Sequence, residues 1–229
     1  MRHLERPPLK PNCLDKYNYT TDAWRPKPES GLPQAPSETD RKQIWNTLND
    51  MQLNVCAYCE GGLEAGGHIE HFAKRSSYRE LTFEWTNLFG SCNREDCCGH
   101  FKDSSHSQYM NYNLQDLIKP DVENPWEFLV FGSDGRVSVR DGISPENQRK
   151  GQTTIDVLNL KASCHIPERI SKFALIRDIL LLLEDDPTDE IISLIVDEIK
   201  SVLPFLNTYS SAALQHLPVE LVKQSRSTP

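Results

Sequence analysis

The sequence predicts an α+β fold in which a mainly helical chain carries a small cysteine-rich module and a β-hairpin. Apolar residues recur at helical spacing after Ser37 and again through the last third of the chain. Residues 55–103 hold most of the cysteine and histidine and show little regular periodicity, which indicates a small site-bearing module. Two short apolar runs flank a turn at 132–135 that is rich in glycine and aspartate, which is typical of a hairpin.

The composition excludes some classes of protein. The chain has 229 residues and a formal net charge of −8, which suits one domain with an appendage or two small domains. No apolar run approaches the roughly 18 residues that span a bilayer. The first eight residues lack the apolar core of a signal peptide, so we expect a cytoplasmic protein without a membrane segment. The acidic balance argues against coating nucleic acid through bulk charge, although a locally basic or partner-supplied surface would still suit a nuclease.

Residues 1–37 are predicted to form an extended, proline-rich arm. Seven of the fifteen prolines lie there and would block helix formation: Pro7, Pro8, Pro11, Pro26, Pro28, Pro33 and Pro36. The simplest interpretation of the arm is a partly ordered tail that packs on the body of the protein.

Residues 38–120 are predicted to begin with a helix and to continue into the cysteine-rich module. Ser37 can cap this helix, and Ile44, Leu48 and Met51 recur on one of its faces.

Residues 121–229 are predicted to begin with the hairpin and to become helical after Pro145. Apolar residues at 170–183 form one helical face, and Pro187 is predicted to start another helix. The acidic run at 184–186 between them is typical of a solvated helix junction.

Two pairs of cysteines have the spacing of a metal site. Cys56 and Cys59 form one CxxC, and Cys92 begins a second knuckle that ends in the adjacent Cys97 and Cys98. Two such knuckles can complete a tetrahedral thiolate site, which predicts structural zinc. A redox CxxC would require a βαβ pattern, which the sequence lacks. The residues alone leave Cys97 and Cys98 as alternatives for the fourth ligand, and the two other cysteines are expected to be buried thiols.

Four polar residues occur between the two knuckles or just after the second one. In chain order they are Glu70, His71, Asn87 and His100. Phosphodiester hydrolysis needs a base for water and a cation on the scissile phosphate. Glu70 can hold Mg²⁺ while the neighbouring imidazole of His71 accepts a proton from water. Asn87 could fix the base through backbone or imidazole, and His100 could add a second metal ligand. The spacing is wrong for the His-Glu-x-x-His motif of zinc proteases.

These residues resemble the HNH endonucleases, a family with a zinc-containing ββα-metal (His-Me finger) fold. The motif is carried by Cys56-x-x-Cys59, Glu70-His71, Asn87 and the segment from Cys92 to Lys102. The resemblance implies His71 as general base, Glu70 as a ligand of catalytic Mg²⁺ or Mn²⁺, Asn87 as support for the base and His100 as the terminal metal ligand. Counting back from Lys102 favours Cys98 as the fourth zinc ligand, with Cys97 as the alternative. The same count places Gly99 at the position where the family has Asn or His. Asp103 is therefore the alternative to His100 as the terminal metal ligand.

Four segments resemble the PtuB-type HNH subunits of Septu antiphage systems and of retrons with an ATPase–HNH pair: HIEHF, WTNLFGSCN, CGHFKD and TTIDVLNL. This resemblance implies an endonuclease that is the toxic effector of a defence complex. It also implies a PtuA-type ATPase partner, and in retrons a reverse transcriptase with its RNA–DNA hybrid. The arm and the C-terminal helices would be the docking surfaces. The expected substrate is nucleic acid, DNA first and RNA such as tRNA as the alternative.

A different class of function remains open from the residues. A non-catalytic zinc-ribbon adaptor would bind a protein or nucleic acid and use His68, His71 and His100 structurally. It should hold zinc only and show no activity with added Mg²⁺.

Overall fold

A computed structural model describes residues 1–25, 32, 35–63, 66–104, 111–183 and 188–226. Within these ranges the chain forms eight α-helices and two antiparallel strand pairs, which confirms the predicted mixture of helix and sheet. The helices are α1 (Glu38–Gln52), α2 (Cys98–Asp103), α3 (Pro145–Val157), α4 (Ile166–Ala174), α5 (Arg177–Leu183), α6 (Asp189–Val202), α7 (Ser211–Leu214) and α8 (Val219–Arg226). The strands are β1 (Gly67–His71), β2 (Leu88–Cys92), β3 (Leu129–Phe131) and β4 (Val137–Val139).

Helix α1 follows the predicted capping signal. The Ser37 hydroxyl accepts a hydrogen bond from the Asp40 backbone N–H at 3.2 Å, which satisfies one of the free donors of the first turn. Ile44 and Leu48 are fully buried on the face that packs against β2. The helix ends where Leu53 adopts the left-handed conformation.

Strands β1 and β2 form the sheet of the cysteine-rich module. They pair antiparallel with Gly67 opposite Cys92 and His71 opposite Leu88. Helix α2 follows at once and packs on β2, so the chain order is strand, strand, helix. The predicted ββα-metal fold has this order, and the assignment to that fold stays a prediction.

The predicted hairpin is confirmed. Strands β3 and β4 pair antiparallel, with Leu129 opposite Val139. The turn closes with a hydrogen bond from the Gly132 N–H to the Arg136 carbonyl at 2.8 Å. Gly135 has φ of +77°, a backbone conformation that favours glycine.

The C-terminal region differs from the predicted helix pattern in one respect. The apolar face at 170–183 belongs to two helices, α4 and α5, which are separated at Leu175 and Ile176. Helix α6 begins at Asp189 and is capped by the Thr188 hydroxyl. Pro187 and the acidic run at 184–186 lie outside the described residues.

The main hydrophobic core draws on all three predicted segments. Leu4, Phe89, Leu129 and Ala212 are buried in the same cluster, which therefore joins the arm, the module and the C-terminal region. The division of the chain at residues 37 and 120 stays a prediction. No helix in the described part of the chain combines the length and the apolar content that crossing a bilayer requires.

The described part of the arm packs on the body of the protein. Cys13 and Leu14, in a short 3₁₀-helix, lie with Trp24 in a second buried cluster against α1. Pro26, Pro28 and Pro33 lie outside the described residues.

Candidate functional site

Four cysteines meet in a buried cluster between the module's turn, strand and helix. Cys56 and Cys59 lie in the turn after α1, Cys92 ends β2 and Cys98 begins α2. Their Sγ atoms all lie within 4.8 Å of one another, and all four residues are buried. Tetrahedral zinc with Zn–S bonds of about 2.3 Å requires sulfurs roughly 3.8 Å apart, so small adjustments would suffice. The cluster could therefore hold a metal such as zinc.

The four thiols of the cluster interact with one another and with the backbone. The Gly61 backbone N–H donates to Cys59 Sγ at 3.3 Å. Hydrogen bonds from Cys56 and the other neighbouring thiols lower the pKa of Cys92, whereas hydrogen bonds raise the pKa of Cys59 and burial raises that of Cys98. Four cysteine sulfurs are the donor set of a structural zinc site, so the residues present fit the predicted ion.

Cys97 lies outside the four-sulfur cluster. It belongs instead to two neighbouring groups, one with Cys98 and His165 and the other with Asp96 and Cys164. Cys164 is only partly buried, unlike the buried thiol that the sequence predicted. The geometry thus favours Cys98 over Cys97 for the four-cysteine site.

His71 ends β1 with its imidazole buried and fixed. Its Nε2 lies 3.0 Å from the Thr82 carbonyl, which can only accept, so Nε2 carries the proton and Nδ1 is the basic nitrogen of the neutral ring. Burial, together with the charge of Arg75, lowers the pKa of His71 to about 3. The Trp24 ring meets the imidazole edge-on at 4.5 Å between centroids. His71 is therefore a neutral imidazole in a fixed orientation.

Asn87 acts on the backbone around His71. Its Oδ1 accepts from the Ala73 N–H at 2.7 Å, and its Nδ2 donates to the carbonyls of Ala73 at 3.2 Å and Leu81 at 3.0 Å. Leu81 precedes Thr82, whose carbonyl holds the imidazole. Of the two predicted partners, backbone and imidazole, Asn87 contacts the backbone.

Glu70 is buried beside a lysine. Its Oε1 lies 2.7 Å from Lys102 Nζ, and the same ammonium lies 2.6 Å from Asp103 Oδ1 and donates to the His71 carbonyl at 3.1 Å. Burial favours the neutral carboxyl, but the charges of Lys102 and His68 outweigh it and lower the pKa of Glu70 to about 2. Burial and the charge of Glu70 raise the pKa of Asp103. Glu70 is thus an ionised carboxylate.

Two histidine rings lie next to each other, and one of them contacts Glu70. The rings of His68 and His100 are 4.0 Å apart between centroids, and His68 Nε2 lies 3.4 Å from Glu70 Oε2. Burial opposes the charge on His68, but Glu70 outweighs it and raises the pKa of His68. Burial and the charge of His68 lower the pKa of His100.

These groups open into one cleft of about 330 Å³. Four predicted site residues line it: Glu70, His71, His100 and Asp103. Its walls also include three residues that the sequence did not assign to a catalytic site: Trp24, Arg25 and His68. Arg75 lines the cleft as well.

A divalent cation in the cleft would use Glu70 Oε2 and the His100 imidazole, since Lys102 pairs with Oε1, and it would displace His68 from Oε2. Within the described ranges, these two do not belong to a group of three or more ligand atoms that all lie within 4.8 Å. Magnesium prefers oxygen ligands, commonly keeps several waters and binds through one or two carboxylates, so the Glu70 carboxylate fits such an ion. A Cβ on Gly99 would lie 2.6 Å from Glu70 Oε2, so the carboxylate fills the space of a side chain at position 99.

One curated protein supports the resemblance that the motifs indicated. The chain is similar to a Septu protein PtuB. That protein, from Bacillus thuringiensis, is 27% identical over 163 residues. The match covers 70% of this chain and 54% of the relative, so the chain spans about half the length of the PtuB that it matches. No family model matches the chain.

The sequence did not indicate the contacts of three residues near the PtuB-like motifs: Lys102, Trp24 and Arg25. Lys102 was visible as a motif position, but its pairing with two carboxylates depends on the packing of α2 on the sheet. Trp24 and Arg25 belong to the arm, where nothing in the local sequence indicates that they line the cleft beside His71.

Proposed function

We propose that this chain is a metal-dependent HNH endonuclease that hydrolyses phosphodiester bonds of nucleic acid in a Septu-type antiphage defence complex. The motif resemblance and the similarity to a PtuB support the family. DNA is the first expected substrate, with RNA such as tRNA as the alternative.

The observation that carries this proposal is the pairing of a neutral, fixed imidazole with an ionised carboxylate in one cleft. Since the Thr82 carbonyl accepts from Nε2, Nδ1 of His71 is free to take a proton from the attacking water. Asn87 holds the backbone that positions Thr82, and Lys102 holds Glu70 on β1 against α2. A divalent cation held by Glu70 and His100, or by Asp103, would supply positive charge to the scissile phosphate and the leaving oxygen.

The cysteine cluster has a separate, structural role in this proposal. It joins the turn after α1 to α2, which carries His100 and Asp103, and to β2, which pairs with the strand that carries Glu70 and His71. A structural zinc contributes folding energy to a module too small to bury a large core.

The proposed partner rests on the net charge of the chain and on its resemblance to PtuB-type subunits. A chain with a net charge of −8 should bind nucleic acid weakly by itself. We therefore propose delivery by a PtuA-type ATPase that controls the nuclease, and in a retron setting by a reverse transcriptase with its RNA–DNA hybrid. Exposed apolar side chains on the C-terminal helices, such as Leu181 and Leu194, would contribute to docking.

The deciding experiment is cleavage of DNA and RNA panels by the parent and by His71→Ala, with Mg²⁺ or Mn²⁺ and with or without the ATPase. The parent should cleave, and His71→Ala should lose at least the roughly 10²-fold that a general base contributes. His3→Ala is the matched control, because His3 is exposed and does not line the cleft. Cleavage by His71→Ala at the parental rate would show that the base is wrong. A parent that holds zinc and cleaves nothing under any of these conditions would favour the zinc-ribbon adaptor.

A further inference from the structure

Two arginines meet at the mouth of the catalytic cleft, one from the arm and one from the loop after β1. Arg25 and Arg75 both line the cleft beside His71 and His100. They are close enough that the charge of Arg25, added to burial, lowers the pKa of Arg75. Like charges placed together in a partly buried site are unfavourable unless an anion joins them.

Neither guanidinium is paired directly with a carboxylate of the described residues. Within the described part of the chain, Arg25 and Arg75 make no salt bridge and no side-chain hydrogen bond. The carboxylates whose charges act on Arg75 are Asp103 and Glu70, and both already pair with Lys102. Two cations with unused donors therefore face the same opening.

A third arginine, Arg41, differs from Arg25 and Arg75 in having hydrogen-bond partners within the protein. Arg41 stacks on the Trp24 ring at 4.5 Å and donates to the carbonyls of Trp24, Ala35 and Pro36. Its donors are therefore used inside the protein. With the hydrogen bond from the Ala35 N–H to the Ala23 carbonyl at 2.9 Å, it fixes the part of the arm that presents Arg25.

We propose that Arg25 and Arg75 form a phosphate-binding site that holds the backbone of a nucleic-acid strand across the cleft. Planar guanidinium groups match phosphate oxygens through paired N–H donors, which suits them to this ligand. The site makes the cleft mouth locally basic on an acidic protein. It also gives the arm a role in substrate binding, since the arm supplies one of the two cations. This inference rests on the proposed function for its substrate class.

Binding can be measured apart from cleavage. In the full chain carrying His71→Ala, without added divalent metal, a fluorescent oligonucleotide reports affinity by anisotropy over a range of low salt concentrations. Arg25→Ala and Arg75→Ala should each weaken binding several-fold. For each phosphate that the variant no longer neutralises, the slope of log K against log salt should become shallower by about 0.9 for duplex or about 0.7 for single strands.

Two further sets of variants make the result specific. Arg79→Ala is the matched control, because Arg79 is exposed, lies four residues beyond Arg75 and does not line the cleft. Arg25→Lys and Arg75→Lys keep the charge and should retain most of the salt dependence. A thermal melt of each variant identifies any that fails to fold.

The phosphate site is overturned if both alanine variants bind with the parental affinity and slope, or if Arg79→Ala weakens binding as much as Arg75→Ala. The absence of measurable binding at low salt would also contradict it. A parent that binds through both arginines but never cleaves would leave the phosphate site standing and remove the nuclease. A parent that cleaves nucleic acid, and whose binding neither alanine substitution weakens, would remove the phosphate site and leave the nuclease standing.

Discussion

Lys102 Nζ lies 2.7 Å from Glu70 Oε1 in an ion pair that is almost completely buried. The pair joins β1 to α2, and Asp103 and the His71 carbonyl complete the surroundings of the ammonium. A buried ammonium with three oxygen partners is well satisfied, whereas the buried Glu70 carboxylate would keep only His68 as a partner without it.

Replacing Lys102 by methionine should therefore destabilise the protein. Removing one partner of a buried ion pair costs about 3–5 kcal/mol, because the remaining charge stays buried without compensation. Urea denaturation of the metal-loaded protein measures the loss. The double variant Glu70→Gln with Lys102→Met should recover part of it, since the stranded charge is then gone. An unfolding free energy of Lys102→Met equal to that of the parent would contradict the ion pair.

A second prediction concerns Asp40 and pH. Hydrogen bonds from Tyr17 and Ser37 outweigh burial and lower the pKa of Asp40 below its ordinary value of 3.8. A depressed carboxyl pKa adds stability that is present above the unfolded value and is lost as the pH falls through the folded value. Asp40→Asn should therefore be less stable than the parent at pH 7, and the difference should shrink below about pH 4.

Urea denaturation at pH 7, 5 and 3 measures this difference for Asp40. Asp15→Asn is a suitable control, because Asp15 is exposed and its ion-pair partner among the described residues is the exposed Lys10. A difference between Asp40→Asn and the parent that stays constant from pH 7 to pH 3 would show that the carboxylate form is not what stabilises α1.

Parts of the fold with local signals could be predicted from the sequence. The Ser37 cap and the glycine-rich turn at 132–135 each depend on residues close in sequence, and both are present. The break between α4 and α5 could not be predicted, because no glycine or proline marks it at Leu175 or Ile176. It depends on the packing of the two helices against different neighbours.

The candidate site also combines residues that the sequence indicated with contacts that it did not. Glu70, His71 and His100 were visible in the order of their motif, and the cleft brings them together. The contact between Trp24 and His71 spans 47 positions and joins two segments with no shared pattern. Contacts of this kind come from the tertiary packing of the arm, which no motif in one sequence reveals.

A third prediction uses the lack of a side chain at Gly99. A Cβ there would lie 2.6 Å from Glu70 Oε2 and 2.7 Å from its carboxyl carbon, which is closer than real contacts allow. Gly99→Ala should displace the carboxylate and lower metal-dependent cleavage by at least about tenfold, since small misplacements in a catalytic site are costly. Steady-state cleavage over a range of Mg²⁺ concentrations measures the effect.

Gly142→Ala is the control for Gly99→Ala. Its added Cβ would meet nothing within 4 Å, and its φ of +73° should make the change cost stability without touching the cleft. It should therefore lower the melting temperature and leave cleavage at low temperature unchanged. Equal loss of cleavage in the two variants would point to folding rather than to the position of Glu70.

The last prediction separates the adjacent cysteines Cys97 and Cys98. Only Cys98 shares the four-sulfur group with Cys56, Cys59 and Cys92, so its thiolate should be the fourth ligand of a structural zinc. Cys98→Ser should purify with well below one zinc per chain and a lower melting temperature, because metal binding contributes folding energy. Cys97→Ser, one position away and equally buried, is the matched control and should keep about one zinc per chain. Elemental analysis of both variants, purified without chelators, measures the zinc content per chain. Full zinc in Cys98→Ser together with loss of zinc in Cys97→Ser would reverse the assignment.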